Sequence, residues 1–412
     1  MKNFEKKINQ IINSYQNKKK DFSYPLLDDA LSNEDIIKGI EVLLKKKITM
    51  GKITERFEYE FAKYLNVKHA LMVNSGSSAN LLAAFALVNP KKKNCLKVGD
   101  EFLIQSLCWS TSLWPLVQAG LKPRFIDINK NTLNVDEEIF EKSISKKTRA
   151  AMIVHVLGNS SNISKISKDL KNKKIFLIED TCESLGTKYN SKYLGTFGDF
   201  GTYSFYYSHQ ITSGEGGMIV CHNKKDFELI NSLRSHGWDR GIKKSSENQR
   251  SFNFINSGFN LRPLDITAAI GMNQFKRLNL FKKIRNENRK KIIDALQEAK
   301  SWKRQLTFVN ISERLTPSWF GLPMLIDKKY LHKKKRYLEA LNKNKIETRP
   351  VISGNFMNQK SIKLYNLNPK NIKYPDSQEV EDRGFFIGLH TRPISKNELQ
   401  TLIKKLLLIE NI

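Results

Sequence analysis

The chain has 412 residues, a hydrophobic content of 40% and a formal net charge of +29. This length allows two domains, or one large domain with an appendage. No apolar run approaches the ~18 residues that a membrane span needs, so we expect no membrane association. The first 21 residues are rich in Lys, Asn and Gln and have no signal-peptide pattern. They predict a partly helical, solvent-exposed arm of a cytoplasmic protein.

The positive charge is spread over short lysine runs along the whole sequence. These runs lack the interleaved aromatic residues on which single-stranded nucleic acids stack. We therefore interpret them as a solvated surface and expect no nucleic-acid partner, although a positive field would help to attract a diphosphate-bearing substrate. The four cysteines stand far apart, without a C-x-x-C pair: Cys95, Cys108, Cys182 and Cys221. This spacing predicts reduced thiols and no metal site.

Short apolar runs alternate with amphipathic stretches through the first two thirds of the chain. The predicted strands are His69–Val73, Glu101–Gln105, Pro123–Ile128, Ala150–Val156, Lys174–Glu179 and Met218–Cys221. The predicted helices between them are Ala79–Leu87, Ser112–Gly120 and Ile163–Leu170. This alternation is typical of an α/β fold, with a mainly parallel sheet covered by helices on both faces. Such sheets bind ligands at the carboxyl ends of their strands.

The pattern changes near Phe275, where a long basic helical stretch begins, Leu278–Lys300. Strands near Phe320–Ile326 and Ile346–Arg349 follow it. We therefore predict three parts: an N-terminal arm over 1–40, a large α/β domain over 41–275 and a smaller C-terminal α+β domain over 276–412.

A turn of small residues, Asn74–Asn80, lies between the first predicted strand and its helix. Small side chains at Gly76 and Ser77 let the backbone approach an anion, and a helix N-terminus supplies free N–H groups and positive partial charge. A Gly-Ser turn at a helix start is more often only a cap. In combination with the residues that follow, it predicts a phosphate-binding turn.

Three further residues suit a planar pyridine cofactor. Trp109 follows the second strand, and its indole could stack on a flat ring, although the commoner role of a Trp is in the core. Asp180 ends an apolar strand, where a carboxylate either caps a helix or pairs with a pyridinium nitrogen. Glu183, three residues further on, could reach a ring hydroxyl.

The segment from Ser204 to Gly217 predicts a strand end, a turn and a Gly-rich reversal into the next strand. His209 lies in the middle of this turn. A later segment, Gly258–Asp265, contains Asn260 and leads into a helix rich in Ala and Ile.

The order of these segments resembles the DegT/DnrJ/EryC1/StrS family of pyridoxal-phosphate sugar aminotransferases. The resemblance extends from about Tyr24 to the end of the chain. It implies the aspartate-aminotransferase type of fold (fold type I) and a homodimer in which Asn260 reaches the cofactor phosphate of the neighbouring subunit. The cofactor contacts that it implies are Gly76, Ser77, Trp109, Asp180, Glu183, Ser204 and Asn260.

His209 stands where the family has the lysine that binds the cofactor covalently. Since imidazole cannot form a stable imine, the resemblance implies non-covalent pyridoxal or pyridoxamine phosphate, with His209 and Asp180 as the catalytic residues. Such members are sugar dehydratases. We therefore expect removal of the 3-hydroxyl of a nucleotide-linked 4-keto-6-deoxy hexose, with GDP-4-keto-6-deoxy-D-mannose as the substrate and glutamate as the amino donor, in deoxysugar and O-antigen biosynthesis. The implied substrate contacts are His236, Arg240 and Arg349.

Three alternatives remain open from the sequence. An unusual aminotransferase would release an amino sugar, and a non-catalytic cofactor-binding protein would release no 2-oxoglutarate from glutamate. An iron–sulfur CDP-sugar 3-dehydrase also carries histidine at this position. That enzyme needs clustered cysteines, and the stretch after Gly237–Asp239 contains none, so we expect no iron–sulfur cluster.

Overall fold

Three β-sheets and the helices around them make up the computed structural model, which describes residues 2–16, 21–28, 31–239 and 253–412. The strands in chain order are β1 His69–Val73, β2 Glu101–Gln105, β3 Lys122–Ile126, β4 Thr148–Val154, β5 Phe176–Asp180, β6 Lys188–Tyr189, β7 Lys192–Tyr193, β8 Phe200–Ser204, β9 Gly217–Cys221, β10 Leu306–Phe308, β11 Leu315–Thr316, β12 Gly321–Ile326, β13 Thr348–Arg349 and β14 Gly384–Gly388.

The α-helices in chain order are α1 Lys2–Gln16, α2 Asn33–Leu44, α3 Lys52–Leu65, α4 Gly76–Leu87, α5 Ser110–Gln118, α6 Glu137–Ser143, α7 Ile163–Asn172, α8 Lys224–Arg234, α9 Asp265–Phe275, α10 Leu278–Glu298, α11 Lys334–Lys343, α12 Lys360–Leu364, α13 Pro375–Arg383 and α14 Lys396–Leu406. No helix in these described ranges is long and apolar enough to cross a membrane.

The largest sheet has seven strands in the order β1-β9-β8-β5-β4-β2-β3. Strand β9 runs antiparallel to both of its neighbours, and the remaining neighbours pair in parallel. The sheet is therefore mainly parallel, and the predicted α/β fold class is confirmed.

Helices cover both faces of this sheet, as the sequence of β1 illustrates. Leu71 and Val73 pack with the apolar side of α4, whereas Ala70 and Met72 pack on the opposite face with Phe57 and its neighbours from α3. Because successive strand side chains point to opposite faces, a run that is apolar at every position must be buried on both.

A second sheet, with the order β10-β12-β14-β13, lies in the C-terminal part of the chain, and a third small sheet has the order β11-β6-β7. Helix α9 ends at Phe275 and α10 begins at Leu278, on either side of the predicted domain boundary. The division into 1–40, 41–275 and 276–412 itself stays a prediction.

The segment 23–28 runs along the second sheet. Tyr24 forms a parallel bridge with Ile346, and the N–H of Leu26 donates to Glu347 Oε2 at 3.0 Å. These contacts bring Leu26, which is distant in sequence from every predicted site residue, to the edge of the main cavity.

Candidate active site

A cavity of about 510 Å³ lies at the carboxyl ends of β5 and β8, beneath the second sheet. Its volume falls in the range of small-molecule sites, roughly 300–1,000 Å³. The lining side chains include Leu26, Gly76, Ser77, Asn80, Trp109, Asp180, Glu183, Ser204, Tyr206, His209, Glu215, Phe320, Arg349, Ile352 and Phe386. The cavity therefore brings together predicted site residues that are up to 273 positions apart in the chain (349 − 76).

The start of α4 forms an anion-binding turn at one end of the cavity. Ser75 caps the helix, since its Oγ accepts the N–H of Ser78 at 3.1 Å. The first N–H groups of a helix have no intrahelical partner, so those of Gly76 and Ser77 are available to a ligand. A Cβ on Gly76 would come within 2.6 Å of Ser204 Cβ and 2.9 Å of Cys182 Sγ. Glycine is therefore required for this close approach, and the turn fits a phosphate group.

Trp109 immediately precedes α5, and its side chain faces the cavity. The residue is 56% exposed, which is unusual for a tryptophan in a well-packed α/β protein. An exposed indole at a cavity wall offers a flat apolar surface to a planar ligand.

Asp180, at the last position of β5, is the most strongly hydrogen-bonded carboxylate of the cavity. Its Oδ2 accepts from Asn80 Nδ2 at 2.8 Å and from Ser112 Oγ at 2.7 Å, and its Oδ1 accepts from the N–H of Cys182 at 3.1 Å. Thr202 Oγ1 in turn donates to Asn80 Oδ1 at 2.6 Å. This network fixes the carboxylate as an acceptor, which suits a partner that carries an N–H such as a pyridinium ring.

Glu183 lies beside Asp180 and differs from it in its surroundings. It accepts one hydrogen bond, from the N–H of Leu157 at 3.0 Å. Leu157 presents that N–H from a left-handed conformation, with φ 51°, which is uncommon for a branched residue. Burial, opposed in part by this hydrogen bond, raises the pKa of Glu183 to about 7. The carboxyl group can therefore donate as well as accept a proton near neutral pH.

His209 follows β8 by five residues and lines the cavity next to Phe320 and Tyr206. The centroid of its ring is 5.1 Å from that of Phe320 and 5.9 Å from that of Tyr206, and both pairs are edge-to-face. Its Nδ1 is buried and has no hydrogen-bond partner in the described residues, which leaves Nε2 as the nitrogen that can face a ligand. Burial, and then the charge of Arg285, lowers the pKa of His209 to about 3. The imidazole is thus a neutral base.

Of the predicted substrate contacts that lie in the described residues, Arg349 lines the cavity and His236 does not. Arg349 lies in β13, is largely exposed, and its Nη2 is 2.9 Å from Glu347 Oε1. His236 is exposed and does not line the cavity of the single chain, and Arg240 lies outside the described residues. Asn260 is also exposed outside the cavity, where its Oδ1 accepts from Arg262 Nε at 3.1 Å.

Sequence reasoning missed two side chains that orient Asp180. Asn80 and Ser112 both donate to its carboxylate, and both are buried. Each lies on a helix within the first turns after a predicted strand end. A polar side chain on the inward face of such a helix indicates a buried hydrogen bond, but the spacing of residues in the sequence does not show which group is its partner.

A model of the DegT/DnrJ/EryC1/StrS aminotransferase family matches residues 30–407. The chain belongs to this family. A curated relative, GDP-4-keto-6-deoxy-D-mannose 3-dehydratase of Escherichia coli O55:H7, is 36% identical over 378 residues, covering 89% of this chain and 95% of the relative.

Two solved structures extend the comparison. One is a histidine-to-asparagine variant of GDP-4-keto-6-deoxymannose-3-dehydratase with bound GDP-perosamine; its TM-score is 0.86 at 35% identity, with 93% of this chain and 100% of that chain covered. The other is a GDP-4-keto-6-deoxymannose-3-dehydratase with a trapped PLP-glutamate geminal diamine; its TM-score is 0.85 at 34% identity, with 93% and 100% covered. The predicted family and aminotransferase-type fold are confirmed.

Proposed function

We propose that this protein is a pyridoxal-phosphate-dependent 3-dehydratase of GDP-4-keto-6-deoxy-D-mannose that uses glutamate as its amino donor. The observation that carries the proposal is His209, a neutral imidazole in a cavity whose other walls fit the cofactor. The family relatives described above, whose names include this substrate and a PLP–glutamate adduct, support the same assignment.

Four groups would hold the cofactor without a covalent bond. The N-terminus of α4 at Gly76 and Ser77, with Ser204 beside it, would bind the phosphate. Trp109 would stack on the ring, and the Asp180 carboxylate would accept a hydrogen bond from the protonated ring nitrogen and keep it protonated. Bound there, pyridoxamine phosphate supplies an electron sink conjugated with the sugar carbon that carries the amine.

Glu183 would donate a hydrogen bond to the cofactor, and His209 would transfer a proton during the reaction. With its pKa near 7, Glu183 can donate a hydrogen bond to the hydroxyl of the ring. His209 Nε2 would accept the proton that leaves the aminomethyl carbon of the cofactor. The same proton can then join the departing 3-hydroxyl, which leaves as water.

The absence of a lysine decides the product. A lysine amine at position 209 would bind the cofactor and would return a proton to the sugar at carbon 4, completing amine transfer. His209 offers no such amine, so the unsaturated amino sugar would be released and hydrolyse to ammonia and a 3-deoxy-4-keto sugar. Such a product suits deoxysugar and O-antigen biosynthesis, with a cytoplasmic location.

Two features of the cavity suit a nucleotide-linked 6-deoxy sugar. Arg349 offers a guanidinium at the open side, where it can pair with a diphosphate. Leu26, Phe320, Ile352 and Phe386 form an apolar wall that can contact the methyl group of a 6-deoxy hexose.

The assignment extends to a homodimer with shared sites. The N–H of Asn74 donates to Leu261 O at 3.1 Å, so the backbone next to Asn260 runs beside the strand that leads to Gly76. The Asn260 side chain is nevertheless exposed and outside the cavity of its own chain. A second subunit that packs on this surface would receive Asn260 at its phosphate-binding turn.

Mixed dimers test this arrangement. Asn260→Ala and His209→Asn subunits, each inactive or weak alone, are combined and the ammonia release is measured. If Asn260 acts across the interface, one of the two sites in the mixed dimer has both residues intact, and activity returns to a fraction of the wild-type value. If both residues act within one chain, every site of the mixed dimer is defective and no activity returns.

The activity itself is tested by ammonia release from wild-type protein with pyridoxal phosphate, glutamate and GDP-4-keto-6-deoxy-D-mannose. We expect release that depends on all three, and a loss of about 10²- to 10⁴-fold in His209→Asn, the usual contribution of one well-placed base. Release at an unchanged rate in His209→Asn would contradict the role of the imidazole. Absence of both ammonia and 2-oxoglutarate in the wild type would contradict the proposed enzyme.

A further inference from the structure

Arg285 is a buried cation without an acidic partner among the described residues. It lies on α10, is 2% exposed, and forms no salt bridge in the described ranges. Its Nη1 is buried and has no hydrogen-bond partner there. Burying an unpaired charge is costly, and burial alone lowers the pKa of this guanidinium to about 10. Packing alone therefore does not explain why an arginine stands at position 285.

The hydrogen bonds of Arg285 lead to the turn that carries the proposed base. Its Nη2 donates to the carbonyl oxygen of His209 at 3.4 Å, and its Nε donates to the carbonyl oxygen of Leu389 at 3.0 Å. Leu389 directly follows β14, whose Phe386 lines the cavity. One guanidinium therefore joins α10, the His209 turn and the end of a strand of the second sheet.

The same guanidinium is a fixed positive charge at the backbone of His209. A proton on the His209 ring would place a second cation near it, which disfavours the protonated ring. The neighbouring rings of Tyr206 and Phe320 provide no counter-ion.

The other titratable groups of the cavity do not pair with this ring. They are Asp180, Cys182, Glu183, Glu215 and Arg349. The hydrogen bonds of the Asp180 and Glu183 carboxyl groups go to Asn80, Ser112 and the N–H groups of Cys182 and Leu157, and the salt bridge of Arg349 goes to Glu347.

We propose that Arg285 is a positioning residue that fixes the His209 turn and adds a like charge near its imidazole, which extends the range in which the ring stays neutral further towards acidic pH. The catalytic meaning of this role rests on the proposed function. The effect on the imidazole does not, because it is a property of the protein without cofactor or substrate.

The chain offers a matched control in Arg289, one turn further along α10. Arg289 is also partly buried, donates from Nη2 to a backbone carbonyl, that of Val309, at 3.0 Å, and lies over the ring of Trp319. Burial lowers its pKa to about 10, as for Arg285. These contacts of Arg289 lead away from His209, so Arg289→Met removes a partly buried arginine from the same helix without changing a contact of the proposed base.

The experiment is a titration of the histidine ring resonances by NMR in the protein without cofactor. The His209 signal is assigned as the one that disappears in His209→Asn. The titration extends to about pH 3.5. In the wild type and in Arg289→Met we expect the ring to stay largely neutral to the end of this range, because its pKa is about 3. In Arg285→Met we expect a midpoint higher by roughly one to two units, at about pH 4–5, the size of a nearby like charge. Arg285→Lys, which keeps the charge, should retain the wild-type behaviour.

Equal titration of His209 in the wild type and Arg285→Met would overturn the proposal, as would an equal shift in Arg289→Met. Arg285→Gln takes the place of the Met variant if that variant does not fold, and the same comparison applies. If the wild type turns over the sugar nucleotide, the acidic limb of its kcat–pH profile should move to higher pH in Arg285→Met by the same roughly one to two units. KM for the sugar nucleotide should stay within twofold of the wild-type value. Lack of turnover in the wild type would contradict the proposed function and leave the NMR result to decide the role of Arg285.

Discussion

Replacement of Gly76 by alanine tests the phosphate-binding turn, because the structure shows what the added methyl group would meet. The new Cβ would lie 2.6 Å from Ser204 Cβ, 2.9 Å from Cys182 Sγ and 3.1 Å from Ser204 Oγ. Ordinary carbon contacts are about 3.5–4.0 Å, so α4 or β8 would have to move by about 1 Å. Both elements contribute directly to the cavity.

The expected change in the free energy of unfolding follows from two opposing effects. Overpacking of a tight contact costs about 1–3 kcal/mol. Alanine gains up to ~1 kcal/mol over glycine in a helix interior, and less at the first helical position where Gly76 stands. We expect a net destabilisation of about 1–2 kcal/mol. The displaced N–H groups should also lose about one charged hydrogen bond to the phosphate, ~1.5–3 kcal/mol, which weakens cofactor binding roughly 10- to 100-fold.

Urea unfolding measures the stability, and quenching of tryptophan fluorescence on titration with pyridoxal phosphate measures the affinity. Gly39→Ala is the matched control, since Gly39 is also a buried helical glycine and the nearest atom to its added Cβ would be the flexible Cδ1 of Ile270 at 3.3 Å, with its other contacts at ordinary distances of 3.5 Å or more. This control should keep wild-type affinity and stability within ~1 kcal/mol. Wild-type affinity in Gly76→Ala would refute the assignment of the turn to the phosphate.

Three further predictions concern the other cofactor contacts. Trp109→Ala should weaken binding of pyridoxal phosphate roughly tenfold, because ring stacking contributes about 0.5–1.5 kcal/mol beyond the buried area; unchanged affinity would place the ligand elsewhere. Asp180→Asn should lower turnover by on the order of 10²- to 10³-fold, since loss of one partner of a buried ion pair costs about 3–5 kcal/mol; a rate within a factor of a few of wild type would rule out the pyridinium pairing. The pKa of Glu183 is raised from 4.5 to about 7, so between these two pH values the folded protein holds a proton on this carboxyl that the unfolded chain has lost. The stability that this proton contributes is complete below about pH 4.5 and is lost as the pH rises through about 7. Urea unfolding of cofactor-free Glu183→Gln should therefore lose less stability than the wild type between pH 5 and 8, by about 1–3 kcal/mol, and parallel pH curves would contradict the raised pKa.

The parts of the fold that depend on local pattern were predictable from the sequence. The predicted bounds of β1 and β2 agree with the structure because both are apolar runs flanked by polar turns. The predicted strands Pro123–Ile128 and Ala150–Val156 extend two residues beyond the observed ends of β3 and β4. Apolar residues continue past each strand into the core, and hydrophobicity alone does not mark where the ladder stops.

Contacts between distant segments were not predictable in this way. Asn80 and Ser112 are 100 and 68 positions from Asp180. Leu26 reaches the cavity through pairing of the segment 23–28 with the second sheet, and Arg285 reaches the His209 turn from the middle of a helix that reads as basic and solvent-exposed. These contacts depend on tertiary packing, for which one sequence contains no periodic signal. The anion turn, the indole and the acid follow predicted strand ends, where ligands commonly bind, whereas the roles of these residues and of His209 were implied by the resemblance to the family.

The most direct test of the central claim is mass spectrometry of the sugar that the wild-type protein forms from GDP-4-keto-6-deoxy-D-mannose, with pyridoxal phosphate and glutamate and without an added reductase. His209→Lys serves as the comparison, because it restores an amine at the same position. We expect a 3-deoxy-4-keto sugar nucleotide from the wild type, and a shift towards an amino sugar in His209→Lys. An amino sugar from the wild type would contradict the claim that the imidazole at position 209 prevents amine transfer.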